Sequence, residues 1–353
     1  MSLPKATANW PKWLITMRMP EFWHFRLIYL FILPWVLFMA LFKTRGKFYP
    51  FALNQIIDES GGFSGASKGH IKNQFDASLF PKTVYLKKSE LNSGKDKICR
   101  ELSFPFIIKP TNLNSGVAVN KIDNKSELQN YLRKVQFDFQ AEEYLTQKME
   151  VAVFIANPPD APLKILSLTG KEFLTVTGDG VKTVKKLLKE NLRYKMCSDQ
   201  IDPFWENKWT KIPKLGELIL IQPIGNHNKG TKFTDESHRI TSAMEHFLDS
   251  IVPDSIQYGR FDIKLDSWSD LETGKNLKII EFNGNIAEPV SYLDPKFGYI
   301  GIQRVLFKHY YWQYKLGKKM VELGTPTPDY ITGCKRLLQG KKFKKSLKNI
   351  RID

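Results

Sequence analysis

Two runs decide how this chain is read: Tyr258–Gly259–Arg260–Phe261–Asp262–Ile263–Lys264 and, after a polar interval, Lys278–Ile279–Ile280–Glu281–Phe282–Asn283–Gly284–Asn285. Each alternates side-chain character with period two, as a strand does when its faces meet different surroundings. Arg260, Asp262 and Lys264 fall on one face and Phe261, Ile263 and Leu265 on the other, while Glu281 and Asn283 share a face opposite Phe282. The interval Asp266–Asn276 is polar and carries Gly274, so the spacing predicts a hairpin joined by a loop. Such a hairpin brings three oxygen donors, Asp262, Glu281 and Asn283, beside one arginine. Hard oxygen donors with an open side toward phosphate suit Mg²⁺. A solvated charged sheet face has the same pattern, and these two runs do not separate the readings.

The remainder of the chain supplies the context. Its 353 residues, 42% hydrophobic and 13% aromatic, suffice for two or three folded domains and are unlike a disordered composition. Cys99, Cys197 and Cys334 are scattered, odd in number and without a CxxC, which excludes a disulfide framework or structural zinc site and predicts a reducing compartment. The net charge of +17 is concentrated at the ends. The first 50 residues carry seven Lys/Arg against Glu21, and residues 302–353 carry thirteen against three acids, leaving the middle nearly neutral.

Residues 22–42 read FWHFRLIYLFILPWVLFMALF, and the 16 residues from Leu27 to Phe42 carry no formal charge. That is shorter than the ~20 residues of a straight membrane span. With Trp10, Trp13 and Trp23 as interfacial aromatics, and Lys43, Arg45 and Lys47 following, it predicts a membrane-associated helix. The helix is either a tilted single span or a monotopic segment kinked near Pro34, and the downstream domain sits on the cytoplasmic face of the inner (plasma) membrane. Basic residues on both flanks and the lack of a small-residue cleavage site argue against a removable signal peptide. The tail from Ile302 interleaves aromatics with cations at helical spacing, so an anionic membrane surface is a better partner for it than nucleic acid.

Between these ends, short strands and helices alternate with many antiparallel-style turns, which reads as α+β. Expected strands include Val84–Leu86, Phe104–Pro110, Gln140–Glu142, Val151–Ile155 and Phe173–Val176. Expected helices include Lys125–Val135, Val184–Asn191 and Ser237–Ser250. The domain boundaries follow as 1–48 for the membrane segment, 49–103 for a short preceding region, 104–301 for a central domain and 302–353 for the basic tail.

The ordered set FPFIIKP, NLNSGV, AEEYL, Glu150, YGRFDIKLD and IIEFNGN resembles the ATP-grasp ligases, with spacing like that of D-alanine–D-alanine ligase. The stretches TVTGDGVKTVKKLL and IPKLGELILIQPIGNHNKGT are similar to the ATP-grasp domains of cyanophycin synthetase and bifunctional glutathione synthetase. The resemblance spans about residues 65–295. It implies an ATP-grasp fold, two α+β subdomains clasping ATP, with ATP and Mg²⁺ (or Mn²⁺) as cofactors. It also implies a carboxylate–nucleophile ligase working through an acyl phosphate; phosphoryl transfer to a hydroxyl, or nucleotide binding without turnover, are the alternatives. By the same resemblance, Lys68 and Lys109 are phosphate-binding lysines, and Ser115 and Gly116 belong to the loop that closes over phosphate. Glu142, Tyr144 and Leu145 are the hinge that holds adenine, and Glu150 takes the ribose hydroxyls. Asp262, Glu281 and Asn283 are the metal ligands, and Arg260 stabilises the transferring phosphoryl group. Lys229 or Lys232 reaches the γ-phosphate, and His227 beside them is either a substrate contact or a solvated loop residue. After Asn283 the chain departs from the D-alanine ligases with Gly284–Asn285–Ile286–Ala287–Glu288–Pro289, which puts a dipeptide product in doubt.

Overall fold

The structure, a computed structural model, describes residues 10–58, 61–62, 71–111, 119–135, 137–201 and 209–348. Among them the strands run in chain order as β1 Thr83–Leu86, β2 Phe106–Pro110, β3 Asn120–Ile122, β4 Phe139–Glu143, β5 Met149–Ala156, β6 Lys164–Glu172, β7 Leu174–Thr177, β8 Leu218–Gln222, β9 Lys232–Asp235, β10 Tyr258–Leu265 and β11 Lys278–Asn283. The chain divides into two interleaved units. One comprises Met1–Val36, Ser167–His238 and Pro289–Lys308; the other comprises Leu37–Leu166, Arg239–Glu288 and His309–Asp353. The mixture of helices and antiparallel strands is the α+β class expected.

The second unit is built on two sheet segments. In the first, β1, β4, β2 and β3 lie side by side in that order. Their inward residues, Val84, Leu86, Phe106, Ile108, Phe139 and Ala141, form one apolar core with Ile98 and Leu128 from two covering helices. The helix Lys125–Lys134 starts where Asn124 Oδ1 accepts from the Ser126 and Glu127 amides, both at 3.0 Å, and ends on Arg133 and Lys134, whose charge suits the carbonyl end of the helix dipole. The second segment is the opening hairpin. β10 pairs antiparallel with both β5 and β11, and a bulge after Asp262 admits Ile280 as an extra residue on β11.

The interval inside the hairpin is more ordered than a loop. Ser267 and Asp270 form a capping box, the helix Trp268–Thr273 follows, and Gly274 ends it at φ +70°. Beside the hairpin, a buried amide network pins the segment around Asn54. Asn54 Oδ1 accepts from the Gln257 and Tyr258 amides at 2.8 and 3.1 Å, while its Nδ2 donates to Tyr258 O at 2.5 Å and Asn285 Oδ1 at 2.7 Å. Asn285 in turn donates to Pro50 O and Leu53 O, and its amide donates to Gly61 O. A Cβ on Gly61, at φ +63°, would collide with Asn285 and the Leu53 carbonyl, so this turn requires glycine. Asn54 is fully buried and itself sits at φ 52°, which asparagine tolerates better than other residues with a Cβ. Asn54→Ala leaves two buried amides and a carbonyl without their partner, so we expect a loss of about 2–4 kcal/mol, read as a lowered denaturant midpoint at unchanged slope.

In the first unit, β6 pairs with β9 through Thr169↔Asp235 to Glu172↔Lys232, and β7 pairs with β8. Leu174, Val176, Ile219 and Ile221 pack there against Val184 and Leu188 of the helix Val184–Glu190. The N-terminal stretch is fixed by a buried charge cluster. Arg193 Nη2 donates to both carboxylate oxygens of Glu21, at 2.7 and 2.8 Å, and His227 Nε2 lies 3.0 Å from Glu21 Oε2. Burial opposes ionisation of Glu21, but the His227 and Arg193 contacts outweigh it and hold its carboxyl below the ordinary range.

The single apolar helix expected over 22–42 is not what forms. The run is broken into helices Phe25–Ile28 and Ile32–Phe38, the second continuing as a π-helical turn Met39–Lys43. The break falls at Tyr29–Phe31, not at Pro34. Proline near the start of a helix occupies a position whose amide needs no intrahelical partner, so Pro34 does not interrupt Ile32–Phe38. Twelve residues of helix reach about 18 Å, well short of the ~30 Å hydrocarbon core. No helix among the described residues is long and apolar enough to cross a membrane.

Candidate active site

Lys109 leaves the core on β2, whose neighbours Ile108 and Pro110 are buried, and its Nζ stands 2.5 Å from Glu142 Oε2. Glu142 comes from the adjacent strand β4, opposite Ile107, with Gln140 opposite Lys109. Glu142 is almost fully enclosed and takes a second cation: Lys72 Nζ lies 2.8 Å from its Oε1, where Gln140 Nε2 also donates at 2.8 Å. Burial raises the carboxyl pKa, but the charges and hydrogen bonds of Lys109 and Lys72 outweigh it, so Glu142 is held below the ordinary glutamate range. Two ammonium groups held side by side by one carboxylate are a pair of donors suited to phosphate oxygens. Lys72 was not anticipated; a lone lysine in HIKNQF carries no signal until the fold sets it beside β4.

Along the hairpin, directly opposed residues share a face. The register pairs Arg260 with Asn283 and Asp262 with Glu281 on one side, and Arg260 with Phe154, Asp262 with Ala152 and Lys264 with Glu150 on the other. One face of β5–β10–β11 therefore carries Glu150, Lys264, Asp262, Arg260, Glu281 and Asn283, while Val153, Phe261 and Ile263 are buried on the reverse. Asp262 Oδ2 accepts from Arg260 Nη2 at 3.2 Å and from Asn283 Nδ2 at 3.3 Å, and Arg260 Nη1 donates to Glu288 O at 3.0 Å. Burial works against the guanidinium charge, yet Asp262, Glu281 and Glu288 more than offset it and raise the Arg260 pKa. Arg260 Nε is buried with no hydrogen-bond partner among the described residues, a donor in reserve for an anion.

The lysine cluster shares a crevice with one member of the hairpin's polar face, Glu281. Lys72, Lys109 and Gln140 line it together with Glu281, and Ile71, Phe80, Ile280 and Phe282 provide its apolar walls. Phe75 packs behind these walls, with ring centroids 5.6 Å from Phe80 and 6.5 Å from Phe282. Apolar walls with a few converging charges are the usual lining of a ligand site.

A divalent ion fits the donor set of Asp262, Glu281 and Asn283. The described residues contain no cluster of three or more His, Cys, Asp or Glu that would cage a metal unaided. Two carboxylates and an amide oxygen, beside an arginine that repels a bare cation, suit Mg²⁺ arriving with phosphate oxygens to complete its shell.

The other anticipated residues are distributed as follows. Tyr144 follows β4 and carries Lys121 Nζ 5.0 Å above its ring; Leu145 follows it on the link to β5. Glu150 is buried on β5. Lys68, Ser115 and Gly116 lie outside the described residues. Lys229 and Lys232 belong to the first unit, where Lys232 pairs with Glu172 at 2.9 Å. His227 is no solvated loop side chain: it is 11% exposed, bound to Glu21, with its ring 5.0 Å from Phe22 and 5.9 Å from Phe233. Beyond Asn283 the chain is structural at first, since Asn285 is consumed by the Asn54 network.

Residues 78–173, which include β1 to β6 with Lys109, Glu142 and Glu150, match the family model described as D-ala D-ala ligase C-terminus. That stretch is what supports the ATP-grasp superfamily for this chain. The chain is 28% identical over 131 residues to a D-alanine–D-alanine ligase of Natranaerobius thermophilus, covering 33% of this chain and 36% of that protein. The chain thus spans about a third of the length of the curated relative it matches. Among solved structures it is similar to a bifunctional glutathione synthetase from Pasteurella multocida, with TM-score 0.42, 14% identity, and coverage of 75% of this chain and 38% of that one. It is also similar to the D-alanine–D-alanine ligase of Bacillus anthracis, with TM-score 0.40, 14% identity, and coverage of 74% and 71%. The ATP-grasp match ends before β10, so Arg260, Asp262, Glu281 and Asn283 rest on their own geometry.

Proposed function

We propose that this ATP-grasp chain is an ATP- and Mg²⁺-dependent ligase that activates a carboxylate as an acyl phosphate and passes it to an amine or other nucleophile. The observation that carries the reading is the crevice of the second unit, where Lys72, Lys109 and Gln140 face Glu281, the cross-strand neighbour of Asp262. In the first step a substrate carboxylate oxygen attacks the γ-phosphorus, the bond to ADP breaks, and ADP leaves with that electron pair. In the second, the nucleophile adds to the acyl carbon, the bond to phosphate breaks, and inorganic phosphate departs while the nucleophile loses its proton. Lys109 and Lys72 neutralise polyphosphate, and Arg260 answers the charge that develops on the transferring group. Bound Mg²⁺, which Asp262, Glu281 and Asn283 would hold, would supply further charge neutralisation for the polyphosphate. A membrane-linked or envelope-related substrate is favoured by the apolar, basic-flanked run at 22–42.

The test is turnover with Mg·ATP and a panel of carboxylic acids in the presence of hydroxylamine. A ligase yields acyl hydroxamate with ADP and phosphate in equal amounts, and Lys109→Ala raises KM for ATP by about tenfold or more. ADP with a stable phosphorylated acceptor and no free phosphate would replace ligation by phosphotransfer. Tight ATP binding without turnover across the panel would make the chain a nucleotide-binding adaptor.

A further inference from the structure

The N-terminal run has an inverted surface. Its seated side chains recur at Ile28, Ile32, Ala40 and Thr44, all buried. Tyr29, Trp35, Val36 and Met39 are half-buried, and from Leu27 to Phe42 the exposed side chains are uniformly apolar. Leu30, Phe31, Leu33, Leu37, Leu41 and Phe42 are each 50–69% exposed. A helix packed on a soluble core shows the reverse, polar residues outward. Side chains of this size, exposed in one run, exceed the few hundred Å² of contiguous apolar surface that a monomer ordinarily leaves to water.

The segment is nevertheless held firmly. Tyr299 OH donates to Leu27 O at 2.7 Å and Gln303 Nε2 to Ile28 O at 2.8 Å, so the first turns of the helix Tyr299–Glu322 grip its backbone. Trp35 packs edge-on to Phe307 at 5.8 Å, and Glu21 locks the preceding turn to Arg193 and His227. An apolar face fixed outward on a rigid support is a surface built to be covered.

The charges around it indicate what covers it. Arg18 and Arg26 precede or open the run, and Lys43, Arg45 and Lys47 close it, all exposed. The acid in this part of the chain, Glu21, is buried in its ion pairs. Apolar side chains rimmed by exposed cations complement the acyl boundary and headgroups of an anionic lipid surface. A second copy of this chain would bring the same cations face to face.

We propose that residues 25–42 dock in the plane of an anionic bilayer, inserting the outward Leu/Phe face without crossing it. The inference is independent of the ligase reading, because its readout is partitioning and not turnover. The experiment is flotation of the full chain with vesicles of phosphatidylcholine alone or mixed with phosphatidylglycerol. The full chain should float with the mixed vesicles and stay bound in high salt once inserted. The variant L30Q/L33Q/L37Q/L41Q should lose partitioning at least about tenfold, and K43Q/R45Q/K47Q should lose chiefly its preference for the anionic vesicles. L33Q/L41Q serves where the fourfold variant fails to fold, with far-ultraviolet circular dichroism as the check. Equal flotation of the apolar-face variants and the unaltered chain would overturn the proposal. So would absence of flotation together with a concentration-dependent oligomer that those variants dissolve, since a second copy would then cover the face.

Discussion

Turnover of Mg·ATP is expected to fall at least about a thousandfold in Asp262→Asn and, separately, in Glu281→Gln. Both changes are isosteric and remove one negative charge from a cross-strand pair, Asp262 on β10 and Glu281 on β11. Asp262 has a second task as the ion-pair partner of buried Arg260, at 3.2 Å. Its loss alone would therefore be ambiguous between a metal ligand and a support for the guanidinium. Glu281 resolves the ambiguity. It lines the crevice with Lys72 and Lys109, and its charge supports Arg260 as well, but the hydrogen bond to that guanidinium at 3.2 Å comes from Asp262. If the carboxylates hold Mg²⁺, both variants lose the part of ATP affinity that depends on the metal, measured by titration calorimetry with Mg²⁺ and with chelator. ATP binding in chelator should survive in both. If Asp262 only orients Arg260, Glu281→Gln keeps nearly full turnover and its Mg²⁺-dependent affinity, and the metal assignment fails.

The hairpin that carries these ligands was legible because its two faces meet different surroundings. Phe261 and Ile263 enter the core while Arg260 and Asp262 do not, and period two records that difference directly. The helix Trp268–Thr273 inside the connection was hidden by its length, although Ser267 with Asp270 three residues later is a capping signal in plain view. Residues 22–42 misled for another reason. Hydrophobic content has no way to register a break set by tertiary anchoring, here Tyr299 and Gln303 gripping the Leu27 and Ile28 carbonyls. Lys72 and Asn54 were beyond reach altogether. Their partners, Glu142 at 70 residues' separation and Gln257, Tyr258 and Asn285 at 203 to 231, are brought to them by sheet assembly. His227 was read as a loop residue because its partner Glu21 lies 206 residues away. Local chemistry predicted what lies along a strand, and missed what only the packed sheet puts together.

Glu142→Leu is expected to lower stability by about 3–5 kcal/mol, the usual cost of stripping one partner from a buried charge cluster. The carboxylate is 4% exposed and serves two ammonium groups, Lys109 at 2.5 Å and Lys72 at 2.8 Å, each mostly enclosed. Removing it leaves both cations facing each other in a crevice walled by Phe80 and Phe282. Adding Lys72→Met and Lys109→Met to Glu142→Leu should restore much of the loss, because the two ammonium groups that lost their carboxylate are then gone as well. Non-additivity of that sign in urea titrations would separate charge pairing from simple loss of side-chain volume, which the extra substitutions would not repair. The pH dependence supplies an independent check. Glu142 titrates below its ordinary 4.5 in the folded chain, so its stabilisation is complete above that value and drains away as pH falls through the lowered one. The unaltered chain should therefore lose stability on that acid limb more steeply than Glu142→Leu. Polyphosphate offers the stranded lysines a replacement for the missing carboxylate. Adding ATP without metal should then raise the melting temperature of Glu142→Leu more than that of the unaltered chain, and an equal rise in both would place the nucleotide elsewhere.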